Sequence, residues 1–385
     1  MKKILLTLLC AACLVQGLAQ SFIPTLDSNA TISVLTCGSG NEFYTTFGHS
    51  AIRICDTAQD IDVVYNYGTF DFDTPHFYLT FARGRLNYCL SRSSFLNFMM
   101  EYTLDGREVW QQDLRLSQQE KQNLFILLET NYLPEYRYYK YDFFRDNCAT
   151  RIRDIVSNSL THRSLIASQE IASPLSYRQL LQQYTHNCLR WWQLGIDIVL
   201  GAPCDKKCTQ SEYMFLPFEL KTQLDTTCVS DTHQPLAQPA RQILCEDRQP
   251  LARSISPTIT FWALLLIILA LTIIGWKKQW SLAWFDRILF FIAGLASIVI
   301  IFLWFFSDHY CTQYNWNILW ASPLFLYLAL FRKQHNRWVV YLQSLAFAAL
   351  AVIAVAGWQH FNEAILPIAL ILFIRTINIL KQSNK

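Results

Sequence analysis

Tyr141-Asp142-Phe143-Phe144-Arg145-Asp146-Asn147-Cys148-Ala149-Thr150-Arg151-Ile152-Arg153-Asp154 is the stretch that decides how the chain is read. An aromatic, extended run ends at Asp146-Asn147. Both residue types cap helices, because their side-chain oxygens accept from N–H groups that the first turn leaves unpaired. The pattern predicts a helix with Cys148 in its first turn. Ile152, Ile155 and Val156 follow at helical spacing, so the cysteine shares the buried face. A thiol there feels the positive end of the helix dipole, which favours thiolate. Two readings stand: a catalytic nucleophile, or a packed small hydrophobe or half of a disulfide.

Around this stretch, composition narrows the classes. The 385 residues carry a net charge of +3, too little for a nucleic-acid footprint. The chain is 52% hydrophobic and 16% charged, with the apolar excess at its C-terminal end. Met1-Lys2-Lys3 precedes a short apolar run, and Gly17-Leu18-Ala19 is a small-x-small site, so residues 1–19 are expected to be a secretory signal peptide. Ala11-Ala12-Cys13 lacks the apolar residue that a lipobox needs. Export implies an oxidising compartment. Cys37, Cys55, Cys89, Cys148, Cys188, Cys204, Cys208, Cys228, Cys245 and Cys311 then remain. With Cys148 free the others are odd in number, so at least one more is unpaired.

Residues 20–221 read as a mixed α/β exported domain, with strands at 31–37 and 49–55 and a hairpin partner at 61–67. Ser117-Gln118-Gln119-Glu120 is a capping box that opens a helix closed by Pro134. Residues 222–257, rich in Thr, Gln and Pro, read as a polar tether. Five apolar runs follow, at 258–276, 288–306, 316–331, 338–358 and 364–380, of roughly membrane-spanning length and flanked by Trp and Tyr. Pro323, Pro367 and Arg375 interrupt the third and fifth. Lys277, Lys278, Arg287, Arg332, Lys333, Arg337, Lys381 and Lys385 lie in alternate loops and at the end, whereas 307–315 and 359–363 carry no Lys or Arg. The positive-inside rule places the basic loops in the cytoplasm, which agrees with an exported N-terminal domain.

A thiol nucleophile needs a base. His49, at a strand start after Gly48, is the leading candidate; His76, His162 and His186 lack a comparable setting. Pairing Arg53 with Asp62 across the hairpin places His49 opposite Asn66, on one face, where Asn66 is able to orient the imidazole. Glu42, Tyr65 and Tyr67 are rivals for that role. Arg83-Gly84-Arg85 reads either as a phosphate-headgroup contact or as a solvated hairpin. Asp308-His309-Tyr310 and Asn315-Trp316-Asn317 either cap helix ends or touch a substrate at the bilayer. Cys204 and Cys208 have no partner pair spaced for zinc, so a local disulfide or separate pairings are expected there. No cofactor motif and no metal site are expected.

Phe47-Gly48-His49-Ser50-Ala51-Ile52-Arg53, Asn66-Tyr67-Gly68, Phe81-Ala82-Arg83-Gly84-Arg85-Leu86, the stretch 141–151 and Met214-Phe215-Leu216-Pro217 resemble the Lnb family of bacterial lipoprotein N-acyltransferases. The C-terminal half, with Asp308-His309 and Asn315-Trp316-Asn317, resembles the same family. The order of a strand His before a helix Cys is similar to permuted papain-like enzymes such as lecithin:retinol acyltransferase and NlpC-type amidases. The resemblance implies an α+β permuted papain-like exported domain fused to an all-α polytopic membrane domain at the bacterial inner membrane. It implies that Cys148, with His49 as base and Asn66 as orienting group, takes an acyl chain from a membrane phospholipid. The chain would then pass to the α-amino group of a diacylated lipoprotein N-terminus. Arg83, Arg85, Tyr141 and His309 are the candidate substrate-binding residues. Competing readings are a membrane-anchored cysteine amidase or peptidase acting on cell-wall peptides, and a non-catalytic lipoprotein-handling protein.

Overall fold

The computed structural model describes residues 23–161, 164–167, 171, 173–185, 189–231, 233–247, 254–331 and 337–383. The expected signal peptide, His162, His186, Cys188, Arg332, Lys333 and Lys385 lie outside them. A sheet of seven antiparallel-paired strands forms the N-terminal domain. Its strands are β1 (Thr31–Cys37), β2 (His49–Asp56), β3 (Ile61–Thr69), β4 (Asn87–Ser94), β5 (Val109–Asp113), β6 (Tyr138–Lys140) and β9 (Arg241–Leu244). They lie side by side in the order β6-β4-β3-β2-β1-β5-β9. Two short strands, β7 (Leu165–Ala167) and β8 (Thr227–Val229), pair separately. The helices of this domain are α1 (Phe77–Ala82), α2 (Phe95–Leu104), α3 (Gln118–Tyr132), α4 (Cys148–Ser159), α5 (Tyr177–Thr185), α6 (Arg190–Val199), α7 (Gln210–Tyr213) and α8 (Pro217–Thr226).

One face of the sheet carries α3 and α4. Val34, Ile52, Ile54, Tyr65 and Leu90 project from it to meet Leu124, Leu128, Ile152 and Val156. The apolar alternation along β1 and β2 thus finds its partner in the buried stripes of these two helices. Ser117 and Glu120 cap α3 reciprocally, as their spacing predicts.

The stretch 222–257 departs from the expected tether. Its first residues end α8, β8 pairs with β7, and β9 extends the main sheet beside β5. An edge strand with two exposed and two half-buried residues has no apolar alternation to announce it.

The C-terminal half is helical: α9 (Pro257–Lys278), α10 (Ala283–Phe305), α11 (Leu324–Leu330), α12 (Arg337–Ala356) and α13 (Ile365–Ser383). Among the described residues, three helices are long and apolar enough to cross a membrane: α9, α10 and α12. The third apolar run departs from a single span. It breaks into a 3-10 turn at Trp316–Leu319 and the short α11, with Pro323 between them. In α13 the charge of Arg375 is tolerated because it is buried against Asp286 of α10, Nε to Oδ1 at 2.6 Å, and Thr272 of α9, at 2.6 Å. An ionisable residue in such a helix is held inside the bundle by a partner.

Candidate active site

Cys148 is the first residue of α4, and the cap behind it is thorough. Asn147 Oδ1 accepts from the Thr150 N–H at 2.9 Å, and Thr150 Oγ1 accepts from the Asn147 N–H at 2.8 Å. The Asn147 amide nitrogen donates to the carbonyls of Phe143 and Phe215, each at 2.7 Å. One side chain thereby fixes the helix start, the aromatic run before it and the segment that enters α8. Outside the cap, Asp146 pairs with Arg151 at 2.6 Å, and the guanidinium covers the Tyr139 ring.

The thiol lies against the neighbouring ends of β2 and β3. Backbone N–H groups of Ser50, Ala149 and Cys148 itself reach it. A methyl group added at Gly68 would meet the Cys148 Cβ at 3.8 Å and Tyr141 Cε2 at 3.5 Å, so Gly68 borders both residues. Gly68 has φ of +89°, a conformation that favours glycine. At the strand start, Gly48 has φ of +79°, and a Cβ there would strike the Cys37 carbonyl oxygen at 2.6 Å. The residue that aims His49 must therefore be glycine.

His49 meets Asn66, Nε2 to Oδ1, at 3.3 Å. The contact is diagonal. β2 and β3 pair Arg53 with Val64 and Cys55 with Asp62, two residues away from the register inferred from charge. Arg53 still reaches Asp62 at 2.7 Å, because a shift of two residues keeps every side chain on its face. With Oδ1 accepting, Nε2 carries the proton and Nδ1 keeps its lone pair. The rival orienting groups are occupied elsewhere. The Tyr65 hydroxyl donates to Glu129, the Tyr67 hydroxyl accepts from Asn131, and Glu42 is exposed.

Burial pushes the Cys148 thiol up to about 11, against the three backbone N–H groups that lower it. Burial, and then the charge of Arg107, push His49 down to about 4, while its bond to Asn66 acts the other way. The resting pair is thus neutral thiol and neutral imidazole. The helix dipole alone suggested a resting thiolate; desolvation at this site outweighs it. Arg107 was not legible as a site residue. It is 4% exposed, donates to the Gly38 carbonyl at 2.9 Å and lies over Tyr102.

The Lnb N-terminal periplasmic domain matches residues 20–183, and the Lnb transmembrane domain matches residues 249–385. The chain belongs to the Lnb family. No curated protein and no solved structure matches it. Both matched regions are consistent with an inner-membrane protein that carries a periplasmic domain.

In this Lnb protein, the Cys148 thiol reaches the backbone N–H of Ser50, next to His49, His49 bonds Asn66, and Tyr141 and Cys148 both border Gly68, whereas Arg83, Arg85 and His309 lie at the contact with the membrane domain. Arg85 pairs with Asp308 at 2.9 Å in an exposed contact, the Arg83 carbonyl accepts from the Asp308 N–H at 2.9 Å, and His309 Nε2 bonds the Phe81 carbonyl at 2.9 Å. A second junction is buried. Asn317 donates to the carbonyls of Asp197 and Ile198 at 3.1 and 3.2 Å, Asn315 donates to Ile198 at 2.8 Å, and Asn362 donates to the Asp197 carboxylate at 2.8 Å. Asp197 also pairs with Arg178, which reaches Asp205 at 2.8 Å. The two loops without Lys or Arg are thus the ones that dock the Lnb periplasmic domain. Asn315 caps the turn that follows it as well. The nine cysteines described are free thiols; Cys204, Cys208 and Cys311 share one buried cluster at this junction, with no disulfide between Cys204 and Cys208.

Proposed function

We propose that this protein is a lipoprotein N-acyltransferase that works through a Cys148 thioester. The observation that carries the reading is a buried thiol at a helix start, reached by backbone N–H groups that include that of Ser50, whose chain neighbour His49 bonds Asn66. The membrane domain docked on the same exported unit supports a lipid substrate. In this reading His49 Nδ1 takes the Cys148 proton as the sulfur attacks a phospholipid ester carbonyl. Neither charged partner is stable alone at this burial, so thiolate and imidazolium form together, each supporting the other. The N–H groups of Ser50 and Ala149 are the nearest donors for the developing oxyanion.

Collapse of the tetrahedral intermediate expels the lysophospholipid alcohol, protonated by His49, and leaves an acyl thioester. The α-amine of a diacylated lipoprotein then attacks, His49 takes its proton, and the thiol returns. An α-amino group ordinarily titrates at about 7.7–8.0, so a neutral fraction is present near pH 7. Asn66 acts as a positioning residue. The helix order of the membrane half is read as five membrane passes, the third a broken one made of the turn at Trp316–Leu319 with α11 and the fifth α13, and the order of His49 before Cys148 as permuted papain-like.

Intact mass of the purified protein after incubation with phospholipid tests this. An added acyl mass on Cys148, discharged by a diacylated lipopeptide, is expected. No adduct, with activity on cell-wall peptides instead, would refute it.

A further inference from the structure

Between the Cys148 thiol and the end of a membrane-spanning helix runs an unbroken file of aromatic rings. It starts at Tyr141, which shares the space over Gly68 with Cys148. Tyr141 stacks on Tyr88 with ring centres 4.3 Å apart, and Tyr88 meets Phe70 at 5.3 Å. Phe70 meets Phe77 at 5.8 Å, Phe77 stacks over Phe81 at 6.4 Å, and Phe81 meets His309 at 6.1 Å. His309 follows shortly after Phe305, the last residue of α10.

The outer half of this file is not core. The helix α1 that carries Phe77 and Phe81 has no buried residue, although its sequence is Phe-Tyr-Leu-Thr-Phe-Ala. Tyr78 is 80% exposed, and Phe72, Leu79 and Phe81 are also exposed. Isolated exposed apolar residues need no explanation, but a contiguous patch does. Its two ends say what covers it. One end touches the loop of a helix that crosses the bilayer, beside Arg83 and Arg85, and the other borders Gly68 next to Cys148.

We infer that this face is the path by which one acyl chain of a bilayer phospholipid reaches Cys148, with α1 seated in the outer leaflet. The inference rests on the acyl-transfer reading above. Aromatic rings offer apolar contact along the chain without a hydrogen-bond demand, and tyrosines near the headgroup level suit an interface that is apolar on one side and wet on the other. The main-chain and ion-pair contacts from Arg83 and Arg85 to Asp308 hold the outer end of the path against the membrane domain.

The test uses the full-length protein in detergent and compares two acyl donors. p-Nitrophenyl acetate is small, soluble and independent of the path. Dioleoyl phosphatidylethanolamine in mixed micelles needs it. The Phe72→Ser/Leu79→Ser protein should acylate Cys148 from acetate ester within twofold of the wild-type rate, and from phospholipid at least tenfold more slowly. Phe77→Ser should behave alike. Equal rates from phospholipid in variant and wild type overturn the path, as does an equal loss with both donors. A wild-type protein that takes acetyl but never a phospholipid acyl chain overturns the acyl-transfer reading itself.

Discussion

Replacing Asn147 by Asp separates the two tasks of one side chain. Asn147 is 2% exposed, and its oxygen caps α4 while its nitrogen serves the Phe143 and Phe215 carbonyls. Aspartate keeps the cap, because a carboxylate oxygen accepts from the Thr150 N–H as well as an amide oxygen does. It removes both donations and turns an acceptor toward two acceptors. Each buried carbonyl left unpaired costs about 1–3 kcal/mol, so the two together cost roughly 2–6 kcal/mol. Alanine loses the cap too, about 1 kcal/mol more.

The Asp variant has a further signature. Buried against carbonyl oxygens, its carboxyl is held above the ordinary value of about 3.9. A group whose folded pKa is raised contributes stability that is complete below the unfolded value and is lost as pH rises through the folded one. The protonated acid donates to one carbonyl; the ionised acid donates to none. Asn147→Asp should therefore be the milder variant near pH 4 and lose that advantage over Asn147→Ala toward pH 8. Thermal unfolding of the full-length protein in detergent, followed by tryptophan fluorescence, measures both. At about 2–4 °C per kcal/mol for a domain of this size, Asn147→Ala should lower the midpoint by about 6 °C or more. The reasoning is refuted if Asn147→Asp at pH 8 unfolds within a degree or two of wild type, or if the gap between the variants does not change with pH.

Other outcomes follow from the same geometry. Alkylation of Cys148 by iodoacetamide should stay slow through neutral pH and rise only toward about 11; a plateau near pH 7 would restore the resting thiolate. The same burial shapes stability: His49, pushed down from 6.5 to about 4, costs stability as pH falls through that window, and Cys148, pushed up from 9.0 to about 11, costs it as pH rises through its own, so the pair favours the fold most between roughly 6.5 and 9. Gly48→Ala should destabilise by about 2 kcal/mol or more, through a left-handed Cβ and a backbone clash, and slow Cys148 acylation at least tenfold; normal acylation kinetics would show that His49 needs no such aim. Asn317→Ala removes one of two donors from each of the Asp197 and Ile198 carbonyls, which keep Arg178 and Asn315, and leaves the buried Trp320 indole N–H without its acceptor, so it should cost about 1–3 kcal/mol; protease resistance of the junction equal to wild type would count against that docking role.

Local rules carried part of this structure. Caps were readable at Asn147 and Ser117 because a cap is a contact between near neighbours in sequence. The face shared by His49 and Asn66 was readable because strand parity survives a register error of two residues. The register itself was not, since Arg53 is long enough to reach Asp62 diagonally and the charge pair fits both alignments. The strand at 241–244 was hidden by its polar edge, whereas Pro323 already marked the third apolar run as interrupted. The protonation state of Cys148 depends on how deeply tertiary packing buries it, which no local pattern encodes. Ser50 enters the site through its backbone N–H, a group every residue but proline has. Arg107 enters from a distant strand edge by its charge alone.

The buried junction at α6 also sets an order of assembly. The carbonyls of Asp197 and Ile198 belong to the exported domain, yet their amide donors lie on Asn315 and Asn317, separated by 117 to 120 positions in sequence. During synthesis the exported part emerges first, with the end of α6 still lacking those partners. It gains them only when α10 and the loop after it have been made and fold back onto α6. Completion of α6 therefore waits on the membrane half. A chain in which that loop fails to return should keep the end of α6 open to proteases.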